Sequence, residues 1–160
     1  MTIEELLEIE EIKNIQLDYA EFNDMHDVEG LVNLFTEDAY LEVGEDWGGT
    51  WQGRDQIRKE FTAWFEEAGE NYNSLYLMTN PRVKLDSPTT AHGRWNFVDF
   101  SNRQEDSPLL VTPGGPTNPV CLLGLYELRY LKTTEGWKIN QYRLSYFWPK
   151  REFKGEYLDA

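Results

Sequence analysis

The chain has 160 residues, of which 40% are hydrophobic and 14% aromatic, enough to bury the core of a single domain spanning residues 1–160. Its 29 acidic and 15 basic residues give a net charge of −14, so neither nucleic acid nor an anionic membrane surface is expected as a partner. A lone Cys121 cannot form an internal disulfide and the first residues do not resemble a secretion signal, so we expect a reducing, cytoplasmic location.

The N-terminal half is predicted to be largely helical. Apolar residues recur at steps of three or four over residues 3–22, and Thr2 with Glu5 forms a predicted capping box at the start of this long helix. Asp27 is placed to cap a second, shorter helix, and the apolar spacing from Arg54 to Ala68 predicts a third.

Strands are predicted mainly in the second half of the chain. They are expected at Tyr40 to Val43, Leu75 to Met78, Arg82 to Leu85, Ala91 to Phe100, Val120 to Leu131 and Trp137 to Phe147. Helices followed by strands favour an α+β architecture over parallel βαβ units. The irregular stretch from Ser101 to Pro119, rich in proline and polar residues, is either a lid or a surface excursion.

Strand alternation assigns side chains to faces, because residues two apart point the same way. Trp95, Phe97 and Asp99 share the face assigned to the core. A charged, unpaired carboxylate beside two aromatic side chains is costly, so Asp99 has a partner, a raised pKa or a function, or else the strand ends near Phe97 and Asp99 lies in solvent. Alternation also places Arg143 on the inner surface, where it could pair with Asp99. Both faces of Val120 to Leu131 are apolar, so neither can be assigned to the core.

Several short motifs follow one another in an order that resembles a known family. They are Phe35-Thr36-Glu37-Asp38-Ala39, Trp51-Gln52-Gly53-Arg54-Asp55, Met78-Thr79-Asn80-Pro81, Gly93-Arg94-Trp95 and Gly136-Trp137-Lys138-Ile139. Their order and spacing over roughly residues 4–148 resemble the SnoaL-like branch of the nuclear transport factor 2-like superfamily. The resemblance implies a cone-shaped α+β barrel, in which a curved antiparallel sheet packs on three helices around a pocket. It also implies a homodimer or higher homo-oligomer.

The resemblance further implies a type of chemistry. Catalytic members work without metal or organic cofactor and include scytalone dehydratase, bile-acid dehydratases, a dehydrochlorinase, polyketide cyclases and ketosteroid isomerase. Such reactions need a base in a dry pocket and a hydrogen-bond donor facing it. We therefore expect a cofactor-independent, dehydratase-like lyase acting on a small aromatic, alicyclic or polyketide-like molecule. The alternatives are an isomerase or cyclase, and a non-catalytic small-molecule-binding or dimerisation domain.

The resemblance extends to individual residues only in part. Asp24, Tyr19 and Asp99 fall at or near positions where dehydratases and dehydrochlorinases carry acidic or tyrosine residues. Tyr76 stands where the eliminating enzymes typically carry a histidine base, and a tyrosine is mostly a neutral donor at pH 7. A carboxylate is therefore the expected base, with Arg143 steadying negative charge. The residues assigned to substrate binding are Trp51, Trp95, Phe97, Asn80 and Tyr40.

Three arrangements remain open for this site. In the first, one of the two carboxylates is the base and a tyrosine donates to a carbonyl or leaving oxygen. In the second, Tyr76 and Arg143 orient a phenolic substrate whose own hydroxyl drives loss of a neighbouring group such as water or formaldehyde, and a carboxylate assists. In the third, the pocket only binds. Neither His26 nor His92 stands at the histidine position or has metal-ligand spacing, so no metal is expected.

Overall fold

The structure is a computed structural model, and it describes residues 1–45, 48–69, 73–102, 110–112, 115–117, 119–148 and 151–153. The helices are α1 (Ile3–Asp24), α2 (Val28–Asn33) and α3 (Gly53–Ala68). The strands are β1 (Phe35–Gly44), β2 (Gly49–Gln52), β3 (Asn73–Ser87), β4 (Thr90–Asn102), β5 (Leu110–Thr112), β6 (Gly115–Thr117), β7 (Pro119–Thr133) and β8 (Gly136–Trp148). The predicted α+β class is confirmed.

The helix ends follow the predicted caps. The Glu5 side chain accepts a hydrogen bond from the Thr2 amide at 2.7 Å, and the Thr2 hydroxyl accepts one from the Glu5 amide at 3.1 Å. Asp27 accepts from the Gly30 amide at 2.9 Å and so caps α2. Gly69 ends α3 with a φ of +79°, a conformation that glycine adopts without a Cβ penalty.

Six strands form one curved sheet in the order β2-β1-β8-β7-β4-β3. The pairs β1–β2, β3–β4, β4–β7 and β7–β8 are antiparallel, but β1 and β8 pair in parallel, so the sheet is mixed and not antiparallel throughout. Strands that follow each other through tight turns must run antiparallel, whereas β1 and β8 lie far apart in sequence and carry no such constraint.

Several strand boundaries differ from the prediction. The strand β1 begins at Phe35, five residues before the predicted start, and β2 occupies a glycine-rich stretch that was predicted as turns. A single strand, β3, replaces two predicted ones, because the chain passes the Asn80-Pro81 step through an irregularity in register between Thr79 and Arg82. The φ of Asn80 there is +52°.

The Ser101 to Pro119 stretch is only partly described. Strands β5 and β6 pair with each other as a small separate sheet. Residues 103–109, 113–114 and 118 lie outside the described residues, so the lid stays a prediction.

The core lies between the helices and the inner face of the sheet, and we call the opposite side the outer face. Fully buried side chains include Ile12 of α1, Phe35 of β1, Ile57 of α3 and Ile139 of β8. The inner face of β7, which the sequence left unassigned, carries Leu122, Gly124, Tyr126, Leu128 and Tyr130. Across the described ranges, no helix has the length and apolar character needed to span a bilayer.

Candidate active site

A pocket opens between the helices and the inner face of the sheet. It encloses about 500 Å³ of empty space, counted out to its open mouth, which suits a compact ring. Among the residues that the structure describes, fourteen side chains line it, and nine of these are aromatic. They are Tyr19, Trp51, Phe61, Trp64, Tyr76, Phe97, Tyr126, Tyr142 and Tyr146, and the other five are Asn23, Val43, Asp99, Leu122 and Leu144.

Four of these residues, Tyr19, Tyr76, Tyr126 and Tyr142, form a group of contacting phenols that we call the tyrosine cluster. The hydroxyls of Tyr76 and Tyr126 are hydrogen-bonded at 2.5 Å. The Tyr19 ring makes edge contacts with the other three rings at centroid distances of 5.7 to 6.5 Å. The cluster forms because Tyr19 lies on the buried side of α1, facing the inner side chains of three strands.

The tyrosine cluster is neutral at physiological pH. Burial is the largest cause that raises the pKa of each member, and Tyr76, Tyr126 and Tyr142 rise well above their ordinary value. The nearby charge of Asp99 further raises the pKa of Tyr19 and Tyr76. These phenols can therefore donate hydrogen bonds to a ligand but do not supply a phenolate base.

Asp99 lines the same pocket and is only 5% exposed. It pairs in register with Tyr76 on β3 and with Leu122 on β7. The alternative in which the strand ends before Asp99 is wrong, because β4 continues to Asn102. Asp99 is thus the one carboxylic acid among the lining side chains that the structure describes.

The wall beside Asp99 depends on a glycine. Phe97 pairs in register with Gly124, where an added Cβ would overlap the Phe97 ring and come within 2.5 Å of the Ser145 carbonyl oxygen. Without that Cβ, the Phe97 ring lies over β7 and stacks on Tyr76 at a centroid distance of 5.5 Å and an interplanar angle of 11°. On the opposite wall Trp51 packs edge-on against Phe61 at 5.4 Å.

Asp24 ends α1 and does not line the pocket. Its Oδ1 atom accepts hydrogen bonds from the Ser74 hydroxyl and from the Tyr76 amide, both at 2.9 Å, and Oδ2 lies 3.2 Å from the same amide. The carboxylate therefore fastens the end of α1 to β3 directly behind Tyr76. This geometry suits a residue that holds Tyr76 in place.

Arg143 lies on the outer face, so the prediction that it shares the inner surface with Asp99 is wrong. Its guanidinium donates to Glu127 Oε2 from Nε at 2.8 Å and from Nη2 at 2.5 Å. The register explains the difference, because Tyr130 pairs with Ile139 while Arg129 pairs with Gln141, which leaves Asn140 as an extra residue in β8. This bulge exchanges the two faces beyond it, and Tyr142, Leu144 and Tyr146 then line the pocket.

Three predicted substrate-binding residues lie away from the pocket, whereas Trp51 and Phe97 line it. Trp95 is buried deeper in the core. Tyr40 is half-buried on the side of β1 opposite Val43, which lines the pocket. Asn80 instead borders a polar groove on the outer face, together with Arg82, Arg94, Asn96 and Leu125.

Several lining residues were not assigned to the pocket from the sequence. Phe61 and Trp64 lie on the apolar side of α3, where helical spacing could have identified them. Tyr126 was missed because both faces of β7 are apolar, and Tyr142 and Tyr146 because the bulge in β8 was not foreseen. Asn23, one turn beyond Tyr19 on α1, completes the same lining surface.

Neither histidine lines the pocket. The His26 ring stacks on Phe65 at a centroid distance of 4.7 Å. His92 Nδ1 lies 2.8 Å from Asp86 at the surface. Neither residue therefore takes the place of the histidine base that the eliminating members of the family carry.

Comparisons with known proteins agree with this fold. A proposed scytalone dehydratase from Novosphingobium aromaticivorans is 22% identical over 91% of this chain and 88% of its own, with a TM-score of 0.76. A Mycobacterium tuberculosis protein of unknown function is 25% identical over 89% of this chain and 73% of its own, with a TM-score of 0.69. A type 2 hexachlorocyclohexane dehydrochlorinase is 15% identical over 93% of this chain and 90% of its own, with a TM-score of 0.70.

Among curated proteins, none is significantly similar in sequence to this chain. The SnoaL-like domain matches residues 4–143, which is most of the chain. The resemblance inferred from the motifs is thereby confirmed, and with it a fold shared with dehydratases, a dehydrochlorinase and isomerase-like proteins. The protein belongs to the SnoaL-like domain family.

Proposed function

We propose that this protein is a cofactor-independent lyase that removes water from a small ring ketone carrying a β-hydroxyl group. The observation that carries the proposal is a buried carboxylate, Asp99, in an aromatic pocket beside the hydroxyls of the tyrosine cluster. A base and facing hydrogen-bond donors in a dry pocket are what elimination next to a carbonyl requires. The similarity to a proposed scytalone dehydratase supports the same class of reaction.

In the proposed reaction Asp99 takes the proton from the carbon next to the carbonyl group. The electron pair of that bond moves onto the carbonyl oxygen, and hydroxyls of the tyrosine cluster donate hydrogen bonds to the resulting enolate. The enolate then expels the β-hydroxyl group, which takes the proton back from Asp99 and leaves as water. A carbon–carbon double bond remains, and the carboxylate is restored.

Substitution of Asp99 tests this proposal. With ring ketones that carry a β-hydroxyl group, scytalone included, Asp99→Asn should lower the rate of water loss by ~10²- to 10⁴-fold, the usual contribution of a general base. Product formation is followed by mass spectrometry, and Asp86→Asn at the surface is the matched control. Wild-type rates in Asp99→Asn would rule out Asp99 as the base.

The same experiment separates the alternatives. A product of unchanged mass would indicate an isomerase or cyclase. Ligand binding without turnover, equally strong in wild type and Asp99→Asn, would indicate a binding domain. The arrangement built on Tyr76 and Arg143 loses support, because Arg143 contacts Glu127 on the outer face.

We further propose that the protein is a homodimer and lies in the cytoplasm. The outer face carries an apolar row across four strands, in which Leu77 pairs with Val98, Val98 with Leu123 and Leu123 with Trp148. Leu77 is 40% and Trp148 58% exposed, so this row offers a surface for a second copy of the chain. Light scattering at micromolar concentration should give a dimeric mass, Leu77→Lys should reduce it, and Lys84→Gln should not. A monomeric wild-type mass would contradict the dimer.

A further inference from the structure

Asn23 is a buried amide on the α1 side of the pocket. It is 5% exposed and lines the pocket about one helical turn after Tyr19. A side-chain amide has two N–H donors and one oxygen that accepts, and burying these groups without partners costs stability. The partners that Asn23 finds within the protein therefore decide what it can offer to a ligand.

The amide nitrogen of Asn23 faces its own helix. Nδ2 donates to the Tyr19 carbonyl oxygen at 3.0 Å, and the nitrogen must be the atom on that side, because a carbonyl oxygen only accepts. Burial raises the pKa of Tyr19, and the Asn23 side chain beside it opposes that rise, as a nearby N–H donor does. The oxygen Oδ1 lies at the other side of the planar amide, and no donor among the described residues bonds to it.

Other acceptors are few along the pocket wall. Seven of the fourteen described lining residues are aliphatic, phenylalanine or tryptophan, and their side chains carry no hydrogen-bond acceptor. In the proposed reaction the phenols donate to the carbonyl group of the substrate, and Asp99 acts as the base. Asn23 Oδ1 is then the neutral acceptor that remains for a hydroxyl group of the ligand.

We propose that Asn23 is a specificity-determining residue whose Oδ1 atom accepts a hydrogen bond from a hydroxyl group of the ligand, so that the pocket prefers a hydroxylated ring ketone to the same ketone without the hydroxyl. This inference rests on the proposed function in assigning the contact to the β-hydroxyl group that leaves. With its own proton bonded to Asn23, that oxygen keeps its lone pairs to take the proton from Asp99. It leaves as water, and Asn23 is unchanged.

Two aromatic ketones that cannot lose water test the preference by binding alone. In meta-fluoroacetophenone a fluorine atom of similar size replaces the O–H donor of meta-hydroxyacetophenone. Titration calorimetry at neutral pH should give about tenfold or more tighter binding of the hydroxyl compound to the wild-type protein, because the fluorine compound leaves Oδ1 buried without a partner. In Asn23→Leu, which has nearly the same shape and no acceptor, this ratio should fall to about one or below. Asn14→Leu, the same change at an exposed position of α1, should keep the wild-type ratio.

The ratio separates specificity from a merely structural role. Loss of the Nδ2 bond to Tyr19 would weaken both ligands by the same factor, whereas loss of Oδ1 changes their ratio. Equal binding to the wild-type protein would overturn the proposal, as would failure of both ligands to bind at millimolar concentration, and an unchanged ratio in Asn23→Leu would overturn the role of Asn23. Should that variant fail to fold, Asn23→Ser replaces it with the same expected ratio, because a serine hydroxyl can bond the carbonyl one turn earlier but is too short to reach the ligand.

The preference and the lyase can fail separately. Tighter binding of the hydroxyl compound without dehydration of any β-hydroxy ring ketone would refute the lyase and keep the role of Asn23. Dehydration together with equal binding of the two acetophenones would refute the role of Asn23 and keep the lyase.

Discussion

Asp24 contacts Tyr76 through the main-chain amide and not through the phenol. Its carboxylate also accepts from Ser74, so two residues of β3 are bound to the end of α1. The Tyr76 hydroxyl lies at the other end of that side chain, hydrogen-bonded to Tyr126 in the pocket. Asp24 can therefore act on the pocket through the position of Tyr76, whereas Asp99 lines the pocket itself.

Because Asp24 contacts the Tyr76 amide and does not line the pocket, we expect its substitution to affect stability more than turnover. The side-chain oxygen of Asp24→Asn can still accept from the Tyr76 amide, so turnover should stay within about tenfold of wild type. Asp24→Ala leaves the Tyr76 amide and the Ser74 hydroxyl without this partner and should lower the free energy of unfolding by about 1–3 kcal/mol, measured by urea denaturation. A loss of ~10²-fold or more in Asp24→Asn with unchanged stability would instead identify Asp24 as a base.

Among the elements, β3 and β4 show what the sequence could predict about the site. Tyr76 and Asp99 were both predicted from the sequence as site residues, and both line the pocket. The prediction succeeds here because β3 and β4 pair without interruption from Leu75 to Thr79. Regular pairing preserves the alternation of faces that the prediction assumes. Asn80 lies just beyond this segment, at the irregularity before Arg82, and it borders the outer groove instead.

The strand β8 shows where the prediction failed and why. Trp137 and Ile139 are buried as alternation requires, but Asn140 and Gln141 are consecutive polar residues, and Tyr142 is buried after them. A bulge adds one residue to one strand, so every residue after it faces the side opposite to the predicted one. Arg143 therefore lies on the outer face. Two adjacent polar residues in an otherwise alternating strand are the signal that could have revealed this bulge.

For the whole molecule, the net charge indicates less about possible partners than the positions of the charged side chains do. The value of −14 disfavours anionic partners but does not reveal that Arg82, Arg94 and Arg143 gather around Glu127 in one row of the outer face. Glu127 is only 2% exposed and pairs with the partly exposed Arg143, so the row includes a half-buried ion pair. Local periodicity predicted the helices and most of the strands, whereas this row and the tyrosine cluster depend on the register between strands that are distant in sequence.

Burial of phenols predicts how stability depends on alkaline pH. Burial raises the pKa of Tyr19, Tyr76, Tyr126, Tyr130 and Tyr142 above the ordinary value of about 10. Below that pH both folded and unfolded chains keep these protons, so the contribution to stability is fully present. Above it the unfolded chain loses them first, and stability falls as pH rises towards the folded-state pKa values.

The expected fall is steep. Above pH 10, each tyrosine that stays protonated only in the folded state lowers the free energy of unfolding by about 1.4 kcal/mol per pH unit. Five such residues lower it by up to about 7 kcal/mol per unit, whereas the whole free energy of unfolding of a protein is typically about 5–15 kcal/mol. The protein should therefore unfold cooperatively within about two units above pH 10, with phenolate absorbance rising together with the loss of circular dichroism. Tyr130→Phe should reduce the slope by about one proton, and Tyr40→Phe should not, since Tyr40 is not among the five. If all five phenols ionised near pH 10 while the dichroism stayed constant, their burial would not limit alkaline stability.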